Sequence, residues 1–294
     1  DNAGNISGVS DAFFVKTRKI PFANAVVTLK NADKIYNGTA QTPDVEVSMN
    51  GTVLADDQYV VSYEQDGTAV AASTKAGTYK VVVTASENSD YEGTASDQPG
   101  YTIAKKTITA SLNGTLTKTY DGTAKVLEAQ KLEVLLNGVE DGDEVTATAD
   151  AYAYNSAEVK DADTITGSGI EIAGADAENY QLAETKAFVS AKILQKNLEK
   201  ADVTLGAALV ANGKNQTQAI EKVMLDGAAL TAKDYEVTGN QAAAAGSYTL
   251  TIEGKNNYTG KVQKTYVVVP AEEQMVSTGN GDVKIGEGNL KVSV

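Results

Sequence analysis

Short strand-like segments recur along this 294-residue chain at fixed distances, and that repetition constrains the fold more than any composition figure. Ala76-Gly77-Thr78-Tyr79-Lys80-Val81 returns as Ala245-Gly246-Ser247-Tyr248-Thr249-Leu250, with 169 residues between Gly77 and Gly246. Asp90-Tyr91-Glu92-Gly93 returns as Asn257-Tyr258-Thr259-Gly260, with 167 residues between the tyrosines. Asp57-Gln58-Tyr59-Val60-Val61 has a counterpart in Lys233-Asp234-Tyr235-Glu236-Val237. A divergent copy lies between these two. Lys34-Ile35-Tyr36-Asn37-Gly38-Thr39-Ala40 matches Lys118-Thr119-Tyr120-Asp121-Gly122-Thr123-Ala124, 84 residues on, and Glu178-Asn179-Tyr180 stands where Asp90-Tyr91 stands. A period of this length is one β-sandwich domain, and a chain that repeats it must bury a core per copy.

Within each copy the apolar pattern has period two. Tyr79-Lys80-Val81-Val82-Val83-Thr84, Tyr248-Thr249-Leu250-Thr251-Ile252 and Tyr266-Val267-Val268-Val269 are runs of β-branched and aromatic residues that suit a pleated, half-buried surface. Helical periodicity is nearly absent. Asn37-Gly38, Asn50-Gly51, Asp66-Gly67, Asn113-Gly114, Asp121-Gly122, Asn137-Gly138 and Asp226-Gly227 supply the positive φ angles of tight hairpin turns. The expected class is all-β: tandem Ig-like β-sandwich modules arranged as an elongated rod.

The copies set the boundaries. Repeat 1 is expected over 26–105, closing with Tyr101-Thr102-Ile103-Ala104-Lys105-Lys106, and repeat 2 over 106–196, closing with Ala191-Lys192-Ile193-Leu194-Gln195-Lys196. Repeat 3 is expected over 197–270, closing with Val267-Val268-Val269-Pro270. Residues 1–25 read as the end of a preceding module, and 271–294 as a hairpin that caps this array or starts another. The linkers are short and not rich in Gly, Ser or Pro, so relative motion is restricted and the rod is semi-rigid.

Composition removes function classes. There is no Cys, His or Trp. That excludes disulfides, a thiolate nucleophile, a Ser-His-Asp triad, and zinc or copper sites built on sulfur or imidazole. The formal charge of −14, spread along the chain, disfavours nucleic acid and anionic membranes and favours solubility. The N-terminus is polar and no apolar run approaches the length of a membrane span. Taken alone, this fits a cytosolic chain or a piece of a longer exported one.

Several motifs invite chemistry. Tyr36–Thr39 and Tyr120–Thr123 (Tyr-Asn/Asp-Gly-Thr) read as an architectural turn, with Tyr packing at the sandwich edge. Glu140-Asp141-Gly142-Asp143-Glu144 and Asp161-Ala162-Asp163 offer oxygen ligands for Ca²⁺ without the spacing of a twelve-residue calcium loop, and read as solvated acidic turns. A Lys–Asn or Lys–Asp isopeptide crosslink would suit a rod, although no spacing identifies its partners. Asn-x-Ser/Thr at Asn5, Asn37, Asn50, Asn113, Asn215 and Asn257 reads as turn chemistry. Tyr79, Tyr248, Tyr91, Tyr180 and Tyr258 read as core or corner tyrosines, in the manner of a ring buried with its hydroxyl on the backbone.

Tyr120-Asp121-Gly122-Thr123, followed by Asn137-Gly138-Val139-Glu140-Asp141-Gly142-Asp143-Glu144-Val145 and Asp176-Ala177-Glu178-Asn179-Tyr180, resembles the YDG and MBG (mostly-β, glycine-rich) repeat families. The first and third copies look like related Ig-like repeats, the third departing with Asn212-Gly213-Lys214 in place of Tyr-Asp-Gly-Thr. These families build large bacterial surface proteins and adhesins. The resemblance implies an extracellular, cell-surface location and no catalytic residues. The expectation is therefore a non-catalytic stalk with no cofactor, metal or catalytic residue and no membrane insertion in this segment, as a monomer. The alternative is an adhesive module that binds a host glycan or extracellular matrix protein.

Overall fold

The computed structural model describes residues 18–71 and 73–271; most of the N-terminal extension and the expected C-terminal hairpin lie outside them. Strands dominate, joined by turns and four single-turn 3-10 helices, with no α-helix among the described residues. The all-β class is therefore observed. No helix there is long and apolar enough to cross a membrane. The chain divides into two compact units. Among the described residues, one holds 18–110 with Leu136–Ala147 and Glu171–Glu184; the other holds Ser111–Leu135, Thr148–Ile170 and 185–271.

In the first unit, Val26–Lys30, Asp44–Met49 and Thr52–Val53 form one antiparallel sheet. A second sheet runs in the order Asp33–Ile35, Gly100–Ala104, Gly77–Ala85, Tyr59–Gln65, Thr68–Val70. The period-two pattern decides what faces inward. Tyr79, Val81 and Val83 alternate into the core with exposed or half-buried neighbours, and Tyr101 and Ile103 do the same on the adjacent strand. They share one buried cluster with Val27, Val47 and Met49 of the other sheet, so this is a two-layer sandwich. The closing strand pairs antiparallel with Gly77–Ala85 and parallel with Asp33–Ile35, an arrangement like the G-F-C sheet of immunoglobulin-type sandwiches.

The second unit repeats the plan. Asp202–Leu205, Ile220–Leu225 and Ala228–Ala229 form one sheet; Leu209–Val210, Lys261–Val269, Gly246–Gly254 and Tyr235–Thr238 form the other. Val223, Leu225, Leu250, Ile252, Tyr266 and Val268 fill the core. In the same unit Thr117–Thr119 pairs parallel with Lys192–Leu194, and Thr164–Ala173 pairs antiparallel with Lys186–Ser190.

Three of the seven expected hairpin turns are two-residue turns with both central φ angles positive. Asn50 (52°) and Gly51 (80°), Asp66 (52°) and Gly67 (76°), and Asp226 (48°) and Gly227 (83°) each join adjacent antiparallel strands. At Asn37-Gly38, Asn113-Gly114, Asp121-Gly122 and Asn137-Gly138 only the glycine is left-handed. For Asn37-Gly38 and Asp121-Gly122 the cause lies in the pairing. The strand before each turn is laid parallel to the closing strand, so the chain must leave the sheet instead of folding back along it.

Candidate functional site

The Tyr-Asx-Gly-Thr turn is held from both sides. Asn37 Oδ1 accepts the Thr39 N–H at 3.0 Å and its hydroxyl at 2.8 Å; Asp121 Oδ1 accepts the Thr123 N–H and hydroxyl at 2.9 Å each. Just ahead of the turn, the Tyr36 N–H donates to the Ala104 carbonyl at 2.9 Å and the Tyr120 N–H to the Leu194 carbonyl at 2.8 Å. The third copy keeps this frame. The Ala211 N–H reaches the Val269 carbonyl at 2.8 Å and Asn212 Oδ1 accepts the Lys214 N–H at 3.0 Å. What the departure at 211–214 removes is the tyrosine, which becomes Ala211, and the threonine hydroxyl.

The second recurring piece is the Asx-Tyr corner. Ile20 pairs parallel with Tyr91, Lys106 with Tyr180, and Lys196 with Tyr258. Two residues after each pairing point comes a fully buried apolar anchor, Phe22, Ile108 or Leu198. These registers bring the two pieces together. The turn tyrosine of one copy is bonded beside Ala104 or Leu194, and the corner tyrosine of the next sits beside Lys106 or Lys196, so the two rings bracket the single linking residue Lys105 or Gln195.

In the first unit Tyr36 meets Tyr180 edge-on, with ring centroids 5.3 Å apart at 76°. Both hydroxyls donate to Asp143 Oδ2, Tyr36 at 2.7 Å. The Tyr180 hydroxyl also accepts the Glu140 N–H at 2.9 Å, while the Glu140 carboxylate pairs with Lys106 Nζ at 2.5 Å. Asn179 Oδ1 accepts the Ala76 N–H at 2.9 Å. Burial, the hydrogen bond to Asp143 and that residue's charge all disfavour a phenolate, so the Tyr180 hydroxyl is pushed up to about 12. Tyr36 is raised further by the same causes.

In the second unit Tyr120 meets Tyr258 at 5.4 Å and 76°. Asn257 Oδ1 accepts the Val159 N–H at 2.9 Å, as Asn179 does with Ala76, and its Nδ2 donates to Glu158 Oε2 at 2.7 Å. Burial raises Tyr120, with Glu158 and Asp234 adding their charge. The joint is thus built twice from the same parts: an edge-on tyrosine pair and an asparagine carbonyl on a backbone N–H. Sequence reasoning located the corner tyrosines and missed the asparagines. The available signal was the Asn-Tyr pair itself, at Asn179-Tyr180 and again at Asn257-Tyr258.

The other candidates fall into place around these joints. The tyrosines whose hydroxyls bond back to the local backbone are Tyr79, to the Lys75 carbonyl at 2.7 Å, and Tyr248, to the Ala244 carbonyl at 2.9 Å. The expected acidic turn 140–144 is spent on the joint, and among the described residues no group of three or more acidic side chains is arranged to hold a metal ion. Lys118, 6 % exposed, donates to Asp121 Oδ1 and to the Thr123 and Lys125 carbonyls at 2.8 Å each, over the Tyr154 ring. Its carboxylate partner is three residues along the same turn, so a crosslink there would tie no two strands together. Asn257 sits in a glycosylation sequon, yet its amide is buried and used at both ends.

Residues 104–187 match the YDG domain family. This YDG stretch contains Tyr120–Thr123, Asp143 and the Asn179-Tyr180 corner, the residues that carried the resemblance. No curated protein matches the chain. Among solved structures, the I-band fragment I67-I69 from titin covers 84 % of this chain and 99 % of its own at 12 % identity, with a TM-score of 0.30. Three N-terminal domains of the bacteriophage RB49 highly immunogenic outer capsid protein cover 84 % and 98 % at 10 % identity, TM-score 0.28. Sidekick-1 immunoglobulin domains 1–5 match over 86 % of this chain and 58 % of theirs at 10 % identity, TM-score 0.27. Overlaps this loose carry no argument, and the fold described above rests on the strand pairings of this chain.

Proposed function

We propose that this chain is a non-catalytic spacer segment of a bacterial cell-surface protein, an elongated series of sandwiches that holds a distal region away from the cell wall. The observation that carries the reading is the repeated joint. A freely hinged linker needs no buried contacts, whereas here a tyrosine pair and an asparagine are committed to each single-residue link. Each aromatic pair adds about 0.5–1.5 kcal/mol beyond the area it buries, enough to bias the joint toward one geometry. The match of 104–187 to the YDG domain, a family of bacterial surface proteins by the resemblance above, supports an extracellular location. A chain without His or Cys has no imidazole base or thiolate, and its net charge of −14 keeps neighbouring spacers apart. Small-angle scattering of residues 1–294 tests the reading. An extended profile is expected, with a broader distance distribution when Tyr36→Ala and Tyr120→Ala loosen both joints. A compact profile for the native chain would overturn it.

A further inference from the structure

The joint has a giving half and a receiving half, and the three copies do not carry them equally. The receiving corners at Tyr180 and Tyr258 are filled by Tyr36 and Tyr120, leaving Tyr180 1 % and Tyr258 9 % exposed, with Asn179 at 1 % and Asn257 at 6 %. The equivalent corner of the first copy has the same register and the same buried anchor, since Ile20 pairs with Tyr91 and Phe22 lies against the Tyr91 ring at 5.5 Å. There, however, Tyr91 is only half-buried and Asp90 is exposed. At the other end, the third copy holds its turn in the usual frame but presents Ala211 where the giving tyrosine would stand.

We propose that the Asp90-Tyr91 corner is a docking site for the Tyr-Asx-Gly-Thr turn of one further repeat of this kind, and that Ala211 leaves the third copy without the group needed to dock onto a following one. Asp90 presents the same oxygen as Asn179 and Asn257 for a backbone N–H. It lacks the Nδ2 donor with which Asn257 meets Glu158, so the incoming repeat presents a backbone N–H there, from the segment equivalent to Ala76 and Val159, and no facing carboxylate. A second copy of this chain does not satisfy the site, because Tyr36 and Tyr120 are occupied within the chain and Ala211 has no ring. The proposal rests on reading the tyrosine pair as a joint, and the test separates the two.

The test is nitration by tetranitromethane, mapped by peptide mass spectrometry. In the native chain Tyr91 is expected to be modified while Tyr180 and Tyr258 are spared. Modification of Tyr180 and Tyr258 would sink the joint itself. Protection of Tyr91 would assign its corner to residues 1–17 of this chain and overturn the proposal. The second step is a tandem protein, residues 1–270 followed directly by 20–294. Val269-Pro270-Ile20 then repeats the spacing of Ala104-Lys105-Lys106 and Leu194-Gln195-Lys196. With Ala211 retained, both Tyr91 copies are expected to be nitrated. With Ala211→Tyr in the leading half, the modified fraction is expected to fall by about twofold, because the junctional Tyr91 is covered and the terminal one is not. Full modification of both in the Ala211→Tyr tandem would overturn the proposal.

Discussion

Lys118 is the residue at which sequence and burial disagree most sharply, since an ammonium inside a small sandwich has to be fully compensated. It is compensated locally, by one carboxylate, two carbonyls and the Thr123 hydroxyl, all within seven residues of itself. Removing one partner from such a cluster leaves the others desolvated and unpaired, at a cost of about 3–5 kcal/mol. Lys118→Met is therefore expected to lower stability by roughly that amount in urea unfolding, and Asp121→Asn by less, because its amide oxygen still accepts from Thr123. Asp121 also predicts a pH dependence. Burial works to raise its pKa and is outweighed by the hydrogen bonds from Lys118 and Thr123 and by the Lys118 charge, so the folded value is depressed. Its contribution is present above the ordinary carboxylate range and is lost as pH falls through the folded value. Acid titration of the native chain should accordingly show a step that Asp121→Asn removes.

At the scale of the element, the hairpin glycines separate backbone strain from packing. A Cβ added to Gly51, Gly67 or Gly227 would meet nothing within 4 Å, yet each residue has φ between 76° and 83°. Alanine there pays only the left-handed penalty, about 1–2 kcal/mol, and should leave the denaturant slope unchanged. Leu250→Ala, at a fully buried position in a core strand, is expected to cost about 2–5 kcal/mol by the same measurement. These elements were legible in the sequence because period two and Asx-Gly pairs are local signals: Tyr79-Val81-Val83 and Asp66-Gly67 needed no knowledge of their partners. The parallel pairing of Asp33–Ile35 with Thr102–Ala104 was not legible, since nothing near Tyr36 records what happens some seventy residues later and Asn37-Gly38 by itself carries a hairpin signal. The role of Asn179 was hidden similarly, because its partner, the Ala76 N–H, is a backbone group that carries no side-chain signature.

At the scale of the molecule, the joints should make the response to alkali cooperative with packing instead of a simple surface titration. The Tyr180 hydroxyl is pushed up to about 12 and that of Tyr36 higher, both raised first by burial and then by Asp143, against an ordinary value of 10.0. A pKa raised on folding means the native state holds its proton more tightly than the unfolded chain. The stability this represents is complete below pH 10 and is lost as pH climbs from there through each folded value, that of Tyr180 first. Deprotonation would place a phenolate against the Asp143 carboxylate, which both hydroxyls now face as donors. Tyr36→Phe removes one donor and one titrating group while keeping the ring on Tyr180. It should cost about 1–2 kcal/mol at neutral pH and make the loss between pH 10 and 12 shallower. Tyr36→Ala removes the ring as well and should cost about 3–5 kcal/mol. Urea unfolding of the three proteins at pH 7, 10 and 11.5 measures both effects. If the native chain and Tyr36→Phe lost stability in parallel across that range, the tyrosine pair would not be coupled to Asp143. The joint would then be held by ring packing and the Asn179 contact alone.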